Sequence, residues 1–96
     1  MKAKLVYWHK ARIQNRYILE MKLHRVSQSE QYKDGVKYRI ILIDSKTKKR
    51  VLMDNHYPKG HHIHLDKEEL SYTFIDEEKL VEDFKRLVLE HMEVTL

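Results

Sequence analysis

Cysteine is absent from the 96 residues, which excludes a disulfide framework, a thiolate nucleophile and any Cys-type zinc site. Proline occurs once and glycine twice, and no linker, internal repeat or low-complexity tract interrupts the chain. No apolar run approaches the roughly 18 residues that a membrane helix needs. The basic start, Met1-Lys2-Ala3-Lys4-Leu5-Val6-Tyr7-Trp8-His9, is broken too early for a signal peptide. Cytoplasm is therefore the expected compartment, with no membrane partner. What remains is 42% apolar and 35% charged, the profile of one folded domain spanning residues 1–96 with a heavily charged surface.

Nineteen Lys and Arg stand against fifteen Asp and Glu, a formal charge of +4. The acids crowd the part from Asp66 onward and the cations dominate before Lys59. A moderate basic excess of this kind suits a polyanion such as RNA. It equally suits a basic sheet surface beside an acidic helix.

Tyr17 to His24 alternates strictly, with Tyr17, Leu19, Met21 and Leu23 on one side, which predicts a strand with one dry face. Val36 to Ile43 alternates and then becomes wholly apolar, as a central strand does. A strand-like stretch from about Lys4 to Ile13 turns at Gln14-Asn15-Arg16. The polar run Asp44 to Lys49 leads into Arg50-Val51-Leu52-Met53-Asp54, giving a second hairpin. A short last strand, His61 to Leu65, follows the Pro58-Lys59-Gly60 bend. From Asp76 the period becomes helical: Leu80, Phe84, Leu87, Val88 and His91 share a face. Asp76 is the expected N-cap, Glu77 and Glu78 suit the helix dipole, and Glu82 and Arg86 form an i,i+4 pair. The predicted fold is α+β: a largely antiparallel meander of about five strands with one C-terminal amphipathic helix packed on one face.

Alternation then sorts the faces. If Leu19, Met21, Tyr38, Ile40, Val51, Met53, Ile63 and Leu65 meet the helix, the open face carries Glu20, Lys22, His24, Lys37, Arg39, Leu52, Asp54, His62 and His64. Four of the seven histidines lie between Asp54 and His64, around the lone proline and Gly60. Imidazoles titrate near neutral pH and bind metals, so this segment is the candidate site.

Three chemistries fit it, and metal-independent RNA cleavage is the expected one, with the other two as alternatives. In metal-free RNA cleavage, with no cofactor, His62 and His64 act as general base and acid on the 2′-hydroxyl and the leaving oxygen. Two positions apart on a strand, they stand about 6.5–7 Å apart at the backbone, enough to bracket a phosphate. Lys59 and Arg39, with Lys37 and Lys22, supply positive charge to RNA, Asp54 orients an imidazole, and Asn55 supports it and contacts the RNA. Tyr57 could stack on a base or donate to a phosphate. In the second chemistry His62, His64 and Asp54 hold zinc or manganese. In the third the histidines are solvated residues of a short edge strand. Trp8 is assigned to the core or to a partner contact.

The order Tyr38-Arg39, Asp54-Asn55, Lys59-Gly60, His62-Ile63-His64 and Tyr72-Thr73-Phe74, followed by an amphipathic helix from Glu77 to about His91, resembles the TumE family, toxins of prokaryotic type II toxin–antitoxin systems. The resemblance covers most of the chain. His61 stands where members often carry an acid, and Asp66-Lys67-Glu68 where they carry more glycine. The resemblance implies a toxin paired with a cognate DNA-binding antitoxin and inhibiting growth by acting on RNA. The sequence leaves a homo-oligomer open. A toxin that only occupies an RNA or protein target, without cutting it, is the alternative to an endoribonuclease.

Overall fold

A computed structural model, describing residues 3–96, places six strands and one helix in the order β1 (Ala3–Ile13), β2 (Tyr17–Val26), β3 (Val36–Asp44), β4 (Arg50–Asp54), β5 (His62–Leu65), β6 (Glu68–Ser71) and α1 (Glu77–Met92). The strands form a single sheet in sequence order, each antiparallel to its neighbour. This is the predicted meander and helix, with one strand more. The extra strand β6 is exposed at all four positions, so it has no buried face to betray it in the sequence. It returns through a two-residue turn, Leu65 pairing with Glu68, with Asp66 at φ 56°. Asp is among the few residues that tolerate this left-handed conformation. No helix among the described residues is long and apolar enough to cross a membrane.

One face of the sheet carries the core. Tyr17, Leu19 and Met21 of β2, Tyr38, Ile40 and Leu42 of β3, Val51 and Met53 of β4 and Ile63 of β5 cluster with Leu80, Phe84 and Val88 of α1. Those three helix residues are four apart and fully buried, one stripe laid on the sheet. Burying each stabilises the fold by about 1.5–3 kcal/mol. Asp76 caps the helix by accepting from the Lys79 amide at 2.7 Å. Arg86 bonds Asp83 and Glu90, each at 3.4 Å, rather than the expected Glu82. His91, expected on the shared helix face, lies with Nε2 2.8 Å from Asp66 Oδ2 and ties the helix end to the β5–β6 turn.

Asp44 closes the other end of the sheet. Its buried carboxylate accepts two bonds from Arg16, at 3.0 and 2.8 Å, and the Lys46 amide at 2.8 Å. The Arg16 guanidinium holds the Asp44 carboxyl well below the usual range. A carboxyl lowered on folding contributes stability above its unfolded value and loses it as pH falls toward the folded one. The Asp44→Asn variant is therefore expected to melt below wild type at neutral pH. The gap should narrow as pH drops below the ordinary aspartate range, and melting curves across pH 2–7 check this. A gap independent of pH would show that charge is not what Asp44 contributes.

Candidate functional site

The register of β4 and β5 assembles the site. Asp54 pairs with His62 and Leu52 with His64. Met53 and Ile63, lying between them, belong to the core, so Asp54, His62 and His64 turn to the face away from α1. One ligand-capable atom from each of the three lies within 4.8 Å of the others. His62 is buried; Asp54 and His64 are half-buried.

His62 is held at both ring nitrogens. Nδ1 lies 2.7 Å from the Gly60 carbonyl oxygen and Nε2 lies 3.0 Å from Asp54 Oδ1. A carbonyl can only accept, so Nδ1 carries a proton. In the neutral ring Nε2 then presents a lone pair toward Asp54. A carboxylate and a lone pair repel unless a proton or a cation lies between them. Gly60 sits at φ 75°. Nothing lies within 4 Å of a Cβ built there, so the demand on this residue is backbone conformation rather than space. The His64 ring stands edge-on to His62, with centroids 4.7 Å apart and planes at 84°.

Strand β6 adds an acid that sequence reasoning missed. Glu69 pairs with His64 across the ladder, and its Oε1 lies 4.0 Å from His62 Nε2. Lys59, expected to meet a phosphate, donates to that same oxygen at 2.9 Å. The ion pair holds the Glu69 carboxyl below its usual range. The corner thus combines two imidazoles, two carboxylates and one ammonium. Its one available signal in the sequence was the Asp66 turn, which makes Glu69 a return-strand residue.

The remaining expected residues divide into three groups. Arg39 pairs with Asp54, and Lys22 with Arg39, so both lie in the same cross-strand row as His62. Arg39 contacts Glu20 at 3.6 Å. Lys37 lies exposed next to His24 in the register, with Nζ 5.9 Å from the centre of the Tyr32 ring. Tyr57 is exposed and lines a concavity of about 280 Å³ with Tyr32, Asp34, Pro58 and His61. Asn55 faces no solvent: it is 4% exposed. Its Oδ1 accepts from the Tyr38 amide at 2.9 Å and its Nδ2 donates to the Val36 carbonyl at 2.8 Å. β4 ends one residue earlier, and the Asn55 amide satisfies the β3 backbone beyond that end. Both ends of its amide are therefore engaged by the β3 backbone.

His61 belongs to neither β5 nor the site. Its ring packs against both Tyr38 and Phe74, at centroid distances of 5.5 and 5.0 Å, in a three-ring cluster in which Tyr38 and Phe74 are themselves 6.0 Å apart. Burial pushes the Tyr38 phenol up, so its hydroxyl keeps the proton and donates to His61 Nδ1 at 2.8 Å. His61 Nε2 then donates to Asp34 Oδ2, also at 2.8 Å. The side chain thereby anchors the loop before β3. A family model described as Toxin TumE matches residues 2–92. No curated protein and no solved structure matches the chain.

Proposed function

The chain belongs to the TumE toxin family, and from that premise we propose that it arrests growth as a metal-dependent endoribonuclease centred on Asp54, His62 and His64. One observation carries the reading: ligand atoms of these three residues converge to within 4.8 Å on the sheet face left open by the helix. Two histidines and a carboxylate are a donor set that zinc or manganese accepts. The Gly60 carbonyl fixes the His62 tautomer, which is how metal-binding imidazoles are oriented. Glu69 is the adjoining carboxylate, and Lys59 partly neutralises it. Bound there, a divalent cation would neutralise the scissile phosphate and promote attack on it. Arg39 and Lys22 would hold the flanking phosphates as point charges along the row. An antitoxin is the expected partner of such a toxin, and a DNA-binding one fits the type II arrangement.

A metal-free scheme using His62 and His64 as base and acid is the second reading. It requires His62 to give up its bond to Asp54 or to the Gly60 carbonyl before a nitrogen becomes available. The experiment separating the two is RNA cleavage in EDTA with add-back of zinc or manganese. Loss of cleavage in EDTA with recovery on add-back is the expected result, along with a metal-induced rise in melting temperature that His64→Ala removes. Cleavage indifferent to EDTA would overturn the metal and favour the imidazole pair.

A further inference from the structure

Trp8 is the only tryptophan and is 56% exposed, although sequence reasoning assigned it to the core or to a partner contact. Its position follows from the hairpin register: pairing runs unbroken from Ile13–Tyr17 to Trp8–Lys22, which puts Trp8 on the open face beside Lys22. The bulge at Val6, where Leu5 pairs with His24 but Tyr7 with Leu23, lies beyond it and shifts only Ala3 to Leu5. The row then reads Trp8, Lys22, Arg39, Asp54, His62 across β1 to β5. Four strand spacings separate its ends, about 19 Å.

The indole is also oriented. Trp8 Nε1 donates to Glu20 Oε2 at 3.4 Å, and the other oxygen of Glu20 lies 3.6 Å from Arg39. One carboxylate therefore sets both the aromatic plane and the nearest guanidinium. Lys10 and Lys22, on the same face, have no acidic partner within 4.0 Å among the described residues. An exposed indole next to uncompensated cations is the composition of a single-strand binding track.

We infer that Trp8 is a base-stacking platform, and that single-stranded RNA crosses the strands from Trp8 over Lys22 and Arg39 to the Asp54–His62–His64 cluster. The inference rests on the proposal that this toxin acts on RNA. The lone indole makes its test direct. A 12-mer of 2′-O-methyl uridine, which has no free 2′-hydroxyl, is titrated into the full chain while tryptophan emission is followed. Saturable quenching is expected. Trp8→Ala should weaken binding roughly tenfold, as loss of one stacked base does, and Trp8→Phe should keep most of the affinity. Lys22→Ala should reduce the slope of log affinity against log salt by about 0.7. Oligonucleotide binding without quenching, and unaltered in Trp8→Ala, would overturn the platform while leaving cleavage at the histidines untouched. The same holds if Trp8→Ala abolishes only antitoxin binding. A chain that neither binds nor cuts RNA would overturn the endoribonuclease reading as well.

Discussion

Replacing His64 by alanine is expected to slow RNA cleavage roughly 10²–10⁴-fold, the range lost with a group that acts directly on the reacting centre. It should also release the growth arrest proposed to follow from expression of the chain. His64 is the cleaner target because it is only half-buried, whereas the His62 ring fills a buried position between Gly60 and Asp54. Without metal, the melting temperature of His64→Ala should stay near that of wild type, so that loss of activity reports chemistry and not unfolding. Asp54→Asn is expected to follow, since the amide retains the shape but not the charge opposite His62 Nε2. The measurement is an in vitro RNA degradation assay beside a growth curve. Arrest that persists in the His62→Ala, His64→Ala double variant would move the function off this cluster. The chain would then be a toxin that occupies its target without cutting it.

The second large effect concerns what stands behind the site. Phe84 is fully buried in the helix stripe between Leu80 and Val88. Phe84→Ala is expected to cost about 3–5 kcal/mol, because removal of a buried ring loses transfer energy and leaves a cavity. Domains of this size hold only about 5–15 kcal/mol in total, so the variant should melt more than about 12 °C lower. Leu89→Ala, on the exposed side of the same helix, should shift melting little. A Phe84→Ala melting curve within a few degrees of wild type would mean that the helix is not seated on the sheet. Activity should follow stability in this variant, because Met53 and Ile63 pack in the same core and alternate with Asp54, His62 and His64.

Strand alternation in β2 to β5 and the helical period after Asp76 were plain in the sequence, because each buried face writes its own period into the chain. Those periods carried the placement of Asp54, His62 and His64 on the open face. What the sequence did not disclose has a common cause. β6 buries no side chain, so Glu69 sat in an unmarked stretch until pairing with β5 placed it opposite His64. Asn55 reads as a polar ligand, yet its amide substitutes for a missing strand partner. His61 reads as one more member of a histidine run, yet its ring packs in a cluster with Tyr38 and Phe74. Trp8 reads as core or partner anchor, yet it is exposed on the open face, because the hairpin register with β2 sets its side and no local pattern marks that register. Long-range pairing decides each of these cases, and composition and periodicity carry no record of it.

Every strand of this sheet pairs with the strand made just before it. Each new ladder closes across a short stretch of chain, so little loop-closure entropy opposes it. Assembly can therefore proceed in the order of synthesis, with the helix last to seat. The histidine corner is complete once β6 has docked on β5.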